Sequence, residues 1–259
     1  MRFLKPVVSV VLLCSFLSPV NASDLLREKR MADEIVDAII DGDPVYLKAD
    51  GHEFLNIYTE ADEPKGAVII FHGRGFHPDW QDAINPLRVG LSESGWNTLS
   101  VQMPVLEKGS KYNDYVPLFP EASPRIDAAL KFVNEHSKGK VVIVAHSCSV
   151  HMVMAWIDLL PVNLSQKIDA FVGIGMGSTD YRQPLRQPVP YEKLTVPVLD
   201  VYGENDHSGV IRMAPERLRL LKISGNKNID QRVIADANHY YVNRGEELTN
   251  VIDSWLDEL

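Results

Sequence analysis

The chain has 259 residues, of which 45% are hydrophobic and 24% charged, the balance of an ordinary globular protein. Its formal net charge of −9 argues against nucleic acid or an anionic membrane surface as a partner. With two cysteines, one of them in the first 22 residues, a disulfide framework is excluded, so stability must come from a large apolar core.

The first 22 residues differ from the rest. Arg2 and Lys5 precede or open the apolar run PVVSVVLLCSFLSPV, and Val20 and Ala22 place small residues before a cleavage point at Ser23. This is the pattern of a secretory signal peptide, and its apolar run is short for a membrane span. A periplasmic or secreted protein beginning at Ser23 is expected, with no stable membrane insertion. Leu13 before Cys14 stands where lipoprotein processing needs a small residue, which argues against a lipid anchor. Loss of the segment removes two cations and no acid, moves the formal charge from −9 to −11, and leaves Cys148 alone.

Residues 23–43 read as an N-terminal helical extension. Leu25, Leu26, Ile35, Val36, Ile39 and Ile40 fall at helical spacing, which predicts a helix over 24–41. PVYLKADGHEFLNIYTE reads as a hairpin turning at ADG. GAVIIFHG is a buried-type strand closed by glycine, WQDAINPLRVGLSESG a helix ending at Gly95, and WNTLSVQMP the next strand. A loop is expected over 105–120. In SPRIDAALKFVNEHSKG, Ser123 and Pro124 read as N-cap and first helical residue, and Gly139 as the stop.

VVIVAHSCSV is a central strand ending in a tight turn, and VHMVMAW opens an apolar helix. The strand IDAFVGIGMG follows, then a proline-rich irregular stretch over 178–196. PVLDVYGEND reads as a strand, APERLRLLKIS as a helix, IDQRVIADANH as a strand and GEELTNVIDSWLDEL as a closing helix. There is no internal repeat, so residues 23–259 are expected to form a single domain. The alternation predicts an α/β fold, with a mostly parallel central sheet, helices on both faces and an antiparallel N-terminal hairpin.

In such sheets, sites form beyond the carboxyl ends of the strands. Four polar clusters fall at those ends: His72-Gly73-Arg74-Gly75, Ser147, Asp206 and His239. In that order they resemble the α/β-hydrolase family, whose chain order is nucleophile, acid, histidine. The resemblance covers roughly residues 44–259. The stretch GFHPDWQDAINPLRVGLSESGWNTLSVQMP also looks like a little-characterised, exported bacterial branch of that superfamily.

The resemblance implies that Ser147 is the nucleophile, His239 its base and Asp206 the acid that orients the imidazole. Glu204, Asp180 and Asp236 compete with Asp206 for that part. It further implies an oxyanion loop at His72, Gly73 and Gly75, with His72 as a support, and backbone N–H donors at Arg74 and Cys148. The family's Gly-x-Ser-x-Gly turn here reads Ala145-His146-Ser147-Cys148-Ser149. Position 149 is expected to need only a small side chain, with its hydroxyl of little consequence. Cys148 is expected to act through its backbone and not as a thiol.

Tyr112, Tyr115, Phe119 and Tyr181 are candidates to line a fairly open pocket, rimmed by residues 105–120 and 178–196. Histidines 72, 77, 146, 151 and 207 lack metal-site spacing, so neither metal nor other cofactor is expected. The function implied is cleavage of an ester or related acyl bond in a small-molecule or acylated substrate. A non-catalytic binding module on the same fold and an acyltransferase using the same residues are the alternatives.

Overall fold

A tight turn begins the sheet. Strands β1 (Asp43–Ala49) and β2 (His52–Thr59) pair antiparallel across Asp50 and Gly51, both at positive φ (48° and 80°). Two successive left-handed residues match the twist of the flanking strands, which is why an Asp-Gly pair sits here. The computed structural model describes residues 23–180, 184–186 and 188–259. The expected signal peptide and Tyr181 lie outside the described residues.

The remaining strands are β3 (Gly66–Phe71), β4 (Asn97–Val101), β5 (Lys140–His146), β6 (Ala170–Ile174), β7 (Val198–Asn205) and β8 (Ile229–Asn238). They form one eight-stranded sheet in the order β1-β2-β4-β3-β5-β6-β7-β8. β2 pairs antiparallel with β4, and every pair from β4 to β8 is parallel. This is the architecture expected from the alternation of elements.

Among the described residues seven α-helices accompany the sheet: α1 (Leu25–Ile35), α2 (Ile84–Glu93), α3 (Tyr112–Tyr115), α4 (Phe119–His136), α5 (Cys148–Leu159), α6 (Ser208–Ile223) and α7 (Gly245–Leu256). The two-residue period of each strand sorts its side chains into two cores. Ile69 and Phe71 of β3 join Ile143 and Ala145 of β5 under α4 and α5. Val68 and Ile70 join Val142 and Val144 on the other face, with Leu87 of α2 and Ile252 of α7. Both central strands are therefore buried on both sides, as their unbroken apolar runs require.

Four helix boundaries differ from the sequence reading; one is α2, which begins at Ile84 and not at Trp80. The N-terminal helix stops at Ile35, followed by a single 3₁₀ turn over Val36–Ala38. Its apolar stripe is not what docks it. Leu26 is 72% exposed, while Glu28 and Ala32 are buried. Glu28 accepts hydrogen bonds from Arg125 Nη1 at 2.8 Å and from the Val105 N–H at 3.2 Å. Burial raises its carboxyl above the ordinary range despite the Arg125 charge.

Helix α4 begins at Phe119 and not at Ser123. The expected loop is shorter, because α3 and a 3₁₀ turn over Val116–Leu118 run directly into the helix. Pro120 lies in its first turn, where the missing N–H costs nothing, and Pro124 follows inside the helix. Helix α6 begins at Ser208, directly after His207, so Pro215 is interior and not a boundary.

Candidate active site

The apolar strand β5 delivers Ser147 to the carboxyl edge of the sheet, and α5 starts immediately after it. Between them Ser147 adopts φ 55° and ψ −116°. A non-glycine residue in that region carries strain of roughly 1–3 kcal/mol. The turn is fastened on both sides. The Ser147 N–H donates to the Ile174 carbonyl of β6 at 2.8 Å, and the Ser147 carbonyl accepts from the Val150 N–H at 3.0 Å. Chain crossing from strand to helix at one residue leaves the hydroxyl projecting past the sheet edge.

The structure brings the three residues of the expected chain together. His239 Nε2 lies 2.8 Å from Ser147 Oγ, and His239 Nδ1 lies 2.6 Å from Asp206 Oδ1. Asp206 follows β7 and His239 follows β8, so two adjacent parallel strands present a carboxylate and an imidazole side by side. Burial pushes the Asp206 carboxyl up, but the His239 hydrogen bond and charge and the His207 N–H outweigh it. The net effect holds the group below the ordinary carboxylate range. The Glu204 and Asp236 carboxylates have partners elsewhere. Glu204 accepts from the Asp236 N–H at 3.0 Å, and Asp236 pairs with Arg244 at 3.6 Å. The Asp180 carbonyl accepts from the Ser178 hydroxyl at 2.8 Å.

Three further residues support this chain and a fourth, a histidine, lines the same cavity; the sequence reading gave them no such part. His146 Nε2 lies 2.9 Å from the main-chain carbonyl of His239. A carbonyl only accepts, so Nε2 carries the proton and Nδ1 does not. Burial lowers the His146 pKa to about 3, which keeps the ring neutral. His207 stacks on His239 at 4.1 Å between ring centroids, and burial together with the His239 charge lowers its pKa as well. Gly175, at φ 60°, lies so close that a Cβ there would come 2.9 Å from His239 Cε1. The fourth, His151, donates from Nε2 to the Gly177 carbonyl at 3.1 Å. Burial lowers its pKa to about 4.

The expected oxyanion loop lies across from Ser147. His72 Nε2 accepts from the Met103 N–H at 2.9 Å, which places the ring proton on Nδ1, donating to the Gly73 carbonyl at 2.8 Å. Burial lowers the His72 pKa to about 3, so the residue is a neutral strut. Gly73 must be glycine, because a Cβ would sit 2.5 Å from His146 Nδ1. Gly75 has φ 76°, and its carbonyl accepts from Arg27 Nη2 at 3.2 Å, tying α1 to the loop.

Position 149 corrects the sequence reading. The Ser149 side chain is 1% exposed and its hydroxyl donates to the His72 carbonyl. The residue is small because the packing is tight, but its hydroxyl also joins the Ser147 turn to the loop over residues 72–75. Cys148 is buried, and desolvation raises its thiol pKa to about 12. The thiolate is therefore absent at neutral pH, and the residue's N–H, first in α5, is one of the four that a helix leaves without an internal partner.

A cavity of about 180 Å³ opens beside Ser147, with Arg74, Tyr112, His207 and Tyr240 among its walls. Tyr112 lines it as expected. Tyr115 and Phe119 do not. Both are 1% exposed and pack behind the wall, where the Tyr115 hydroxyl accepts from the Leu106 N–H at 2.9 Å and Phe119 stacks near His151. Their position follows from the helical turns of 112–118, which bury one side of the segment that reads as a loop. Among the described residues no group of His, Cys, Asp and Glu is placed to hold a metal ion, and no helix is long and apolar enough to cross a membrane.

A family model described as a protein of unknown function, DUF3530, matches residues 24–115, a segment that stops short of Ser147, Asp206 and His239. No curated protein matches the chain. Solved structures do. Est1E from Butyrivibrio proteoclasticus is similar at 17% identity over 84% of this chain and 98% of its own, with a TM-score of 0.62. The Pyrococcus furiosus esterase Pf2001 is similar at 16% identity over 84% of this chain and 92% of its own, with a TM-score of 0.63. A dienelactone hydrolase from Anabaena variabilis is similar at 15% identity over 84% of this chain and 97% of its own, with a TM-score of 0.63. The chain has the α/β-hydrolase fold.

Proposed function

We propose that the protein is an exported serine hydrolase that cleaves an ester or related acyl bond through an acyl-enzyme, without a cofactor. The observation that carries this reading is the continuous hydrogen-bonded chain from Ser147 Oγ through His239 to Asp206, at 2.8 and 2.6 Å. Fold alone would not support it, since one fold hosts many activities. Two of the similar structures are named as an esterase and a dienelactone hydrolase, which agrees with acyl chemistry.

In this reading His239 Nε2 removes the Ser147 proton as Oγ attacks the acyl carbon. The imidazolium is stabilised by Asp206, and the oxyanion by the N–H groups of Cys148 and Arg74. Collapse expels the leaving group, which takes the proton from His239. Water then attacks the acyl-enzyme by the same route in reverse and frees the acid. His146 and Gly175 fix the height and tilt of the His239 ring, which determines whether Nε2 reaches Oγ.

Export rests on the charged start, the apolar run and the Val20-x-Ala22 site. A mature chain starting at Ser23 would set its α-ammonium 3.1 Å from the Glu121 carboxylate. N-terminal sequencing of protein from the native host should give Ser23 in a periplasmic or extracellular fraction. A membrane-bound chain beginning at Met1 would refute export.

The test of the activity is turnover of p-nitrophenyl esters of rising acyl length. Wild type should hydrolyse the short members, and Ser147→Ala and His239→Ala should each lose that activity by several orders of magnitude. Equal turnover by wild type and Ser147→Ala would refute the reading.

A further inference from the structure

The cavity beside Ser147 contrasts with the chain that builds it. The protein carries a formal net charge of −9, yet the described residues lining the cavity include one arginine, four histidines and no aspartate or glutamate. The arginine is Arg74, half-buried in the oxyanion loop. Its hydrogen bond among the described residues runs from Nη1 to the Ser110 carbonyl at 3.0 Å.

Other arginines inside the protein are treated differently. Arg88, Arg125 and Arg217 are buried, and each meets a carboxylate of the chain: Asp79 at 2.6 Å, Glu28 at 2.8 Å and Asp200 at 3.0 Å. A guanidinium in a sheltered site is stabilised by a planar anion that accepts two parallel N–H bonds. Arg74 occupies such a site facing the reaction centre, and among the described residues no carboxylate pairs with it.

The size of the charge matters too. His146 and His151 are kept neutral by burial, with pKa values lowered to about 3 and about 4, and burial lowers that of His207. His239 must be neutral to accept the serine proton. Arg74 is then the one permanent cation of the described wall, which balances one negative charge and not two. The cavity, about 180 Å³, is sized for a short chain.

We infer that the site takes short esters bearing a single carboxylate, and that the Arg74 guanidinium is the specificity-determining group that receives it. This rests on the hydrolase reading above. The side chain acts on substrate choice, separately from the part proposed for the Arg74 backbone N–H.

Two matched pairs of substrates test it. In the first, mono-p-nitrophenyl glutarate carries the carboxylate on the acyl side and p-nitrophenyl valerate is its neutral counterpart. In the second, 4-acetoxybenzoate carries it on the leaving group and phenyl acetate is neutral. Wild type should favour the anionic member of at least one pair in kcat/KM by roughly tenfold or more, the worth of a charged hydrogen bond. Arg74→Met should erase that ratio, whatever it does to the absolute rates, and Arg74→Lys should keep part of it. Thermal melting of each variant checks that it is folded.

Equal kcat/KM within both pairs, or a preference that survives Arg74→Met, would overturn the inference while leaving the hydrolase reading intact. Should wild type turn over none of the four esters, calorimetry with monomethyl glutarate, which carries one carboxylate, decides. Saturable binding that is lost in Arg74→Met supports the anion site, and no binding overturns it.

Discussion

The Ser149 hydroxyl donates a hydrogen bond to the main-chain carbonyl of His72, a residue 77 positions earlier in the chain. One bond thus joins the turn that carries Ser147 to the loop proposed to face its oxyanion. A glycine at this position would fit the space and remove the tether. Ser149→Gly and Ser149→Ala should therefore lower kcat by roughly tenfold, the worth of about one hydrogen bond, with little change in KM. Ser149→Val should do worse and also lose about 1–3 kcal/mol of stability to overpacking. Undiminished kcat in Ser149→Gly would mean that the loop holds its place without the tether.

The acid is tested by exchange of single atoms. Asp206→Asn should reduce kcat by about 10⁴, because an amide no longer holds the His239 ring in the tautomer that accepts the serine proton. Its melting temperature should change far less than its rate. Asp180→Asn and Glu204→Gln should leave turnover nearly unchanged. The reverse pattern would show that the acid is supplied from another strand.

Cys148 separates two kinds of nucleophile. Cys148→Ala keeps the backbone N–H and should retain most of the turnover. With the thiol raised to about 12 by burial, the folded protein should resist iodoacetamide at pH 8 and react only on unfolding. Rapid alkylation of the native protein, or loss of turnover in Cys148→Ala, would contradict the serine assignment.

Stability should depend on three buried imidazoles. In the unfolded chain each binds its proton near pH 6.5. In the folded protein burial lowers the values to about 3 for His72 and His146 and about 4 for His151. Between those values the unfolded state holds more protons, so stability is complete above pH 6.5 and is lost as pH falls toward 4. The loss approaches about 1.4 kcal/mol per pH unit for each histidine. Asp206, whose folded pKa is depressed, adds to the loss at still lower pH. Melting curves from pH 8 to pH 4 should show a flat region followed by a steep decline. A constant melting temperature down to pH 5 would show that these rings are not held neutral.

Much of this arrangement is legible in the sequence because it is written locally. The Asp50-Gly51 turn, the apolar run into Ser147 and the strand ends at Asp206 and His239 each depend on neighbours within a few residues. What the sequence hid is tertiary. Nothing near His146 says that its ring will carry the carbonyl of His239, 93 residues away. Gly175 sits in a run of glycines whose reason emerges only where β6 passes under the imidazole. Prolines misled for a related cause. Pro124 and Pro215 mark boundaries in isolation, but the helices around them extend upstream through turns fixed by the rest of the fold. The docking of α1 through buried Glu28 likewise inverts the usual reading of an amphipathic stripe.

An activated serine at position 147 should take a covalent label that an ordinary serine does not. Wild-type protein treated with a fluorophosphonate and digested should yield a phosphonylated peptide with the adduct on Ser147. Ser147→Ala should give none, and His239→Ala should label far more slowly, since the base at 2.8 Å is gone. A folded wild-type protein that takes no adduct at Ser147, or an adduct that persists in Ser147→Ala, would contradict the account.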